Sequence, residues 1–130
     1  MSQNLVNLTE AISEISATIE PKRFTLDDAV NVSVTHKPFA NFPEDACGTA
    51  MKYVVLGENF QPQRQCEERV IEKNKPHTVS FSLIPTDFQD GLINLYVYHN
   101  NSVMAIYEFE VVRQPDNSYL VTREDSFHVE

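Results

Sequence analysis

The pattern of apolar and polar positions is clearest in residues 91–112, where two runs rich in β-branched and aromatic residues flank the polar segment 100–102. Two such runs around a short polar turn predict a β-hairpin. Successive side chains of a strand point to opposite faces. Alternation therefore places Ile93, Leu95 and Val97 together on one face of the first predicted strand.

The length of the turn decides which faces of the two strands merge, because a slip of one residue inverts every side chain. A two-residue turn would align the Ile93 face with the face that carries Glu108. A three-residue turn through Ser102 would align it with the face that carries Tyr107 and Phe109. We favour the three-residue turn, because the other register buries an unpaired carboxylate, which costs free energy.

The favoured register leaves the opposite face of the hairpin, here called the hairpin face, with a mixture of polar and apolar residues. Its large apolar and aromatic side chains are Tyr96, Tyr98, Met104 and Ile106. An uncovered patch of this kind usually marks a contact site, and tyrosine is favoured at interfaces because it joins apolar area to a polar hydroxyl. Two interpretations stay open: another part of this chain covers the face, or a protein partner or second copy binds it.

The rest of the chain shows the same kind of pattern, with turn residues about every ten positions. The predicted strands are 14–20, 30–36, 49–56, 64–73 and 77–84, with one or two more after residue 118. The segment 64–73 is rich in charge and is predicted at a sheet edge, because charge opposes edge-to-edge aggregation. A short N-terminal helix is also predicted as an option, from the spacing of Leu5, Leu8, Ile12 and Ile15.

Seven to nine short strands separated by turns predict an all-β fold, an antiparallel Greek-key β-sandwich. The chain has 130 residues, of which 42% are hydrophobic and 22% are charged. This length and composition suit one globular domain with its own core. We therefore assign residues 1–130 to a single domain, with the sandwich core in residues 14–113 and a C-terminal extension in residues 114–130.

Three motifs resemble the strand pattern of immunoglobulin-like and fibronectin type III-like domains. They are Ala17-x-Ile19-x-Pro21, Val30-x-Val32-x-Val34 and Asp90-Gly91-x-x-x-Leu95-x-Val97-Tyr98. The resemblance covers about residues 14–113 and implies architecture alone, because one fold serves many functions. The chain departs from the immunoglobulin pattern in two ways: it has no tryptophan, and its two cysteines do not have the separation of an inter-sheet disulfide.

The two cysteines, Cys47 and Cys66, flank a predicted hairpin over residues 49–72 that would turn at Gly57. If the hairpin pairs about that turn, the thiols could approach each other across the strands. A disulfide closing a loop of this size would add roughly 3 kcal/mol of stability in the chain-entropy model. In a reducing compartment both cysteines would stay free thiols, so the disulfide and the free thiols both stay open.

The charge of the chain bears on its partners. The formal net charge is −9, which argues against binding to nucleic acid or to an anionic membrane, because both require basic patches. A basic protein partner is compatible with it. The chain has no apolar run long enough to span a membrane and no signal-peptide pattern, so a cytoplasmic location is expected if the chain is complete.

Residues for catalysis or for metal binding do not form any recognisable motif. The three glycines are isolated, so neither a phosphate-binding loop nor a dinucleotide fingerprint is present. The histidines, which are His36, His77, His99 and His128, do not have metal-ligand spacing and are each predicted at the surface or at a strand end. We therefore expect no metal, no cofactor and no enzymatic activity.

These observations favour a non-catalytic protein–protein interaction or accessory module that uses the hairpin face. One alternative is a protein that binds a small ligand, such as a lipid or a carbohydrate, in a cavity between the sheets. That cavity would be lined by Phe24, Phe81, Tyr107 and Phe109. A second alternative is an acidic inhibitor or immunity-like protein that binds a basic partner. This alternative rests on the net charge alone.

Overall fold

The regular secondary structure of the protein is β-strand. The computed structural model describes residues 12–43, 50–86 and 90–128. Within these ranges the strands are β1 (Ser13–Glu20), β2 (Arg23–Phe24), β3 (Val30–Pro38), β4 (Ala50–Gly57), β5 (Phe60–Gln61), β6 (Arg64–Val70), β7 (His77–Pro85), β8 (Gly91–His99), β9 (Ser102–Arg113) and β10 (Tyr119–His128). The all-β prediction is confirmed.

The predicted number of strands, seven to nine, was too low, because ten strands occur in the described ranges. Strands β2 and β5 have two residues each, which is too short to leave an alternating pattern in the sequence. The predicted N-terminal helix falls mostly on residues before Ile12, which lie outside the described ranges, and Ile15 belongs to β1. The described residues contain no helix that is long and apolar enough to cross a membrane.

The strands form two antiparallel sheets with the core between them. One sheet has four strands in the order β1-β3-β7-β5, and the other has six in the order β2-β10-β9-β8-β4-β6. The chain passes from the first sheet to the second between β1 and β2. The charged strand β6 lies at the edge of the six-stranded sheet, as the sequence predicted.

The inward-facing side chains of both sheets pack into one buried cluster. Residues after position 113, which the sequence suggested as an extension, include β10, which pairs along β9. Tyr119 at the start of β10 is buried and stacks on Phe24, with 5.4 Å between ring centroids. The most deeply buried members of the cluster are Ile19, Val30, Val32, Tyr53, Val55, Leu83, Ile93, Leu95, Val97 and Ala105.

The β8–β9 hairpin has the favoured alignment of faces, but its turn is shorter than predicted. Its turn has two residues, Asn100 and Asn101, with φ values of 51° and 66°, so the predicted three-residue turn is wrong. A register shift between Val97 and Tyr98, where Met104 is the extra residue, restores the alignment. Leu95 therefore faces Tyr107 and Ile93 faces Phe109 inside the core, and the glutamates of β9 point outward.

The left-handed backbone of the turn gives a first prediction. Replacing Asn101 by alanine is expected to lower the free energy of unfolding by about 1 kcal/mol, because the left-handed region is unfavourable for residues other than glycine and asparagine. Asn101→Gly is expected to keep the stability of the wild-type protein. Denaturant unfolding measures both. Asn31→Ala, at an exposed strand position, is the control, and an equal loss there would show that backbone conformation is not the cause.

Candidate contact face and the histidine end of the core

An apolar row crosses the outer face of the six-stranded sheet. Register places Phe127 of β10 opposite Ile106 of β9, Ile106 opposite Tyr96 of β8, and Tyr96 opposite Val54 of β4. Cys66 of β6 lies opposite Val54 at the end of the row. Phe127 is 53% exposed, Tyr96 and Ile106 are half-buried, and Val54 is buried, at 5% exposed. The four residues Phe127, Ile106, Tyr96 and Val54 are called the apolar row below.

Three of the four residues predicted on the hairpin face lie on or beside this row. Tyr96 and Ile106 belong to it, and Tyr98 stacks on Tyr96 with 6.5 Å between ring centroids. The Lys52 ammonium lies 5.8 Å from the centre of the Tyr98 ring, which is within cation–π range. Met104 is the extra residue of the bulge and packs against the core, so its position departs from simple alternation.

Carboxylates border one side of the apolar row. Glu108 of β9 lies opposite Asp125 of β10 on one side and opposite Asn94 of β8 on the other. Arg123 Nε lies 2.9 Å from Asp125 and neutralises it. Glu108 is half-buried and has no ion-pair partner among the residues that the structure describes. Like charges opposite each other on paired strands are unfavourable, so this border is suited to a cation from outside.

The apolar face continues past the carboxylates into a surface groove of about 530 Å³. Leu56, Leu92, Asn94 and Arg64 contribute to its walls. Leu92 is 39% exposed, and Asn94 Oδ1 is buried without a hydrogen-bond partner. The groove therefore offers apolar area beside a guanidinium, whereas the Asn94 acceptor is not accessible at its surface.

The residues predicted to line a ligand cavity are buried, and two of them, Tyr107 and Phe109, also line a groove of about 260 Å³ beside β1 and β10. Phe24, Phe81 and Phe109 are each at most 2% exposed, and Tyr107 is 6% exposed. Phe24 contacts the ring of Phe60, with 6.1 Å between centroids. Burial of this kind stabilises the fold by close packing. These four side chains therefore contribute to the interior of the protein.

The predicted disulfide is not tested by the described part of the chain. Cys66 is an exposed free cysteine on β6, and Cys47 lies outside the described residues. Pairing of the two cysteines stays a prediction.

Three of the four histidines meet at one end of the core. His36 is fully buried, so its predicted place at the surface or a strand end is wrong. Its ring lies 5.5 Å from the rings of both His77 and Phe42, and Phe42 lies 4.8 Å from the ring of His99. Tyr53 shares a 2.7 Å hydrogen bond between its hydroxyl and His77 Nε2. These five residues are called the histidine end below.

The sequence contained an indication that the side chain of His36 is buried. It continues the alternating series Val30, Val32 and Val34, all of which are buried in β3. His77 of β7 lies opposite His36 of β3 in the same sheet, whereas His99 of β8 belongs to the other sheet. The local sequence of β7 or β8 indicated neither approach, because both depend on how strands distant in the chain are arranged.

Burial sets the protonation states at the histidine end. Burial, followed by the charges on His77 and His99, lowers the pKa of His36 to about 4. Burial, followed by the nearby Arg69 guanidinium, lowers the pKa of His77. Burial raises the pKa of Tyr53 far above its usual range. The rings of His36 and His77 are therefore neutral at pH 7. No group of three or more potential ligands among the described residues could hold a metal ion.

Comparisons with known proteins show neither a family nor a function for this chain. No family model matches the chain, and no curated protein is significantly similar to it in sequence. One similar solved structure is a β-glucosidase from Listeria innocua in complex with glucose, with 18% identity and a TM-score of 0.41. The match covers 79% of this chain and 16% of the β-glucosidase chain, so this chain spans less than a fifth of that protein. A likeness at this level supports no argument about function or family.

Proposed function

We propose that the protein is a non-catalytic protein–protein interaction module with an immunoglobulin-like Greek-key architecture. Its contact surface is the outer face of the six-stranded sheet, centred on the apolar row. The observation that carries the proposal is the alignment of Phe127, Ile106 and Tyr96 on three neighbouring strands, with Phe127 53% exposed. A contiguous apolar patch with polar borders is characteristic of a protein-binding surface.

The chemistry of the border specifies the partner. Glu108 and Asp125 lie next to the apolar row, and the chain has a net charge of −9. A second copy would bring the same carboxylates together, which is unfavourable. We therefore expect a different protein, with an apolar centre and lysine or arginine at its rim. Such a partner would neutralise Glu108 while covering Ile106 and Phe127.

The two half-buried tyrosines of this face suit this role for a physical reason. Tyr96 and Tyr98 stack on each other and present a flat, rigid surface with hydroxyl groups at its rim. Aromatic side chains of this kind contribute large contact areas and lose little conformational entropy on binding. The surface is therefore prepared for contact before a partner arrives.

The test is a double variant, Tyr96→Ala with Ile106→Asp. Both side chains are half-buried on an outer face, so the variant is expected to fold and to lose about 1 to 2 kcal/mol of unfolding free energy. It is expected to lose at least tenfold in affinity for the partner that the wild-type protein captures from a lysate of its native cells. Circular dichroism and denaturant unfolding monitor the fold, and titration with the purified partner measures the affinity.

The matched control changes the opposite sheet. Thr35→Asp with Ser80→Ala lies on the exposed face of the four-stranded sheet and introduces the same charge. This control is expected to bind the partner as the wild-type protein does. If the Tyr96 and Ile106 variant folds and still binds, the contact surface lies elsewhere. If it unfolds, these residues are structural.

A further inference from the structure

The histidine end closes one end of the core with a single loop residue. Phe42 is 1% exposed and packs edge-on against His36 on one side and His99 on the other. Its amide donates a 3.0 Å hydrogen bond to the carbonyl of Phe39, which forms the turn that carries it. The loop at residues 39–43 is held by the packing of Phe42 against two imidazole rings and by a 2.9 Å hydrogen bond from the Phe39 amide to the carbonyl of Ile12.

These imidazoles lack the partners that buried polar groups normally have. Neither Nδ1 nor Nε2 of His36 has a hydrogen-bond partner, and Nε2 of His99 is also buried without one. His77 is satisfied by the Tyr53 hydroxyl. A neutral ring tolerates this environment at modest cost, whereas an imidazolium there would carry an uncompensated charge in a low-dielectric interior.

The groups facing His36 from the neighbouring strands offer no counter-charge. His77 comes from β7, His99 from β8 and Tyr53 from β4, and in β1 the residue opposite is Ile15. Protonation of His77 or His99 makes protonation of His36 harder, since all three would be cations.

The charged side chains nearest this cluster are already paired. Arg69 of β6 lowers the pKa of His77 and is ion-paired with Glu67, at 2.7 Å. Glu67 lies opposite Tyr53 in the sheet register. Glu72 lines a groove with His77 and is ion-paired with Lys75, at 2.9 Å. Both carboxylates are therefore held by cations.

We propose that the histidine end is an acid-operated latch, in which charging of the imidazoles releases Phe42 and opens residues 39–43. At neutral pH the uncharged ring of His36 packs against Phe42, and the core is closed. On acidification the imidazolium groups repel one another and require water, which they obtain when the loop moves away. Opening exposes the apolar interior at this end, while the apolar row on the outer sheet face is unaffected.

The size of the effect follows from proton linkage. In the closed state the pKa of His36 is about 4, and in an open, hydrated state it returns to the ordinary 6.5. Opening is therefore favoured progressively as the pH falls below 6.5, and the effect levels off below pH 4. At pH 5 the open state is expected to gain about 30-fold in population relative to pH 7.5.

Amide hydrogen exchange followed by NMR tests the proposal on the intact chain. The protection factor of the Phe42 amide is compared at pH 7.5 and pH 5, since a protection factor already corrects for the intrinsic effect of pH. We expect it to fall about 30-fold. The amide of Val121, which donates a 2.8 Å hydrogen bond to Lys22 O, is the internal reference. Because global unfolding also exposes His36, the latch requires the protection factor of Phe42 to stay below that of Val121 at both pH values.

Two variants distinguish the latch from a general loss of stability at acid pH. His36→Leu removes the central titrating group and is expected to abolish the pH dependence at Phe42. His128→Gln, at an exposed position on β10, is expected to leave it intact. A Phe42 amide that keeps its protection at pH 5, or that responds equally in His36→Leu, would overturn the proposal.

A measurement on the unmodified protein guards against a variant that fails to fold. The ring protons of His36 are followed by NMR as the pH is lowered from 7.5 to 4. A ring signal that stays neutral down to about pH 5, while the protection at Phe42 already declines, supports the latch. A signal that titrates near pH 6.5 while Phe42 stays protected contradicts it.

Discussion

Leu95→Ala is expected to lower the free energy of unfolding by about 3 kcal/mol or more, the range for leucine truncation in a packed core. Leu95 is fully buried in the middle of β8 and lies between Val55 and Tyr107 of the neighbouring strands. Truncation removes its apolar contacts and leaves a cavity that rigid neighbouring strands cannot fill.

Leu92→Ala is the matched control, because it makes the same change on the same strand. Leu92 is 39% exposed on the outer face, so its loss is expected to cost less than about 1 kcal/mol. Denaturant unfolding of both variants measures the difference. Similar losses at the two positions would mean that the inward and outward faces of β8 are assigned incorrectly, and the apolar row would lose its basis.

The wild-type protein is expected to lose about 3 kcal/mol of unfolding free energy between pH 7 and pH 4 through His36 alone. The pKa of His36 is about 4 in the folded protein and 6.5 when the ring is in water. Because the folded pKa is the lower one, the unfolded chain binds the proton first as the pH falls. Stability is therefore complete above pH 6.5 and declines steadily towards pH 4.

Carboxylates also titrate in this range, so the comparison is between variants. The unfolding free energies of the wild-type protein and of His36→Leu are measured at several pH values from 7 to 4. The difference between them is expected to shift by about 3 kcal/mol in favour of the leucine variant. His128→Gln should follow the wild-type curve. A constant difference across the range would show that His36 does not titrate with a lowered pKa.

Local alternation in the sequence was enough to find the longer strands and most of the core. Val30, Val32 and Val34 alternate with polar residues and are buried, as are Leu95 and Val97. The charged strand β6 was also placed correctly at an edge. These features depend on neighbours within one segment, where the two-residue period of a strand relates each side chain to a face.

The details of pairing were not contained in any one segment. The turn length of the β8–β9 hairpin was predicted incorrectly, because a bulge at Met104 compensates for a shorter turn. The face alignment was nevertheless correct, since only one alignment keeps Glu108 out of the core. The residue types showed that Glu108 must stay out of the core. They did not show that a two-residue turn and a bulge at Met104 would achieve this.

The sequence by itself determined that the chain is built of strands, and which side of each long strand is apolar. The tertiary structure decided which strands became neighbours. Phe127 joined Ile106 and Tyr96 because β10 pairs with β9. His36 met His77 because β3 pairs with β7, and His99 joined them from the other sheet. Contacts of this kind join residues far apart in the chain, and their positions depend on register and sheet order, which local periodicity does not encode.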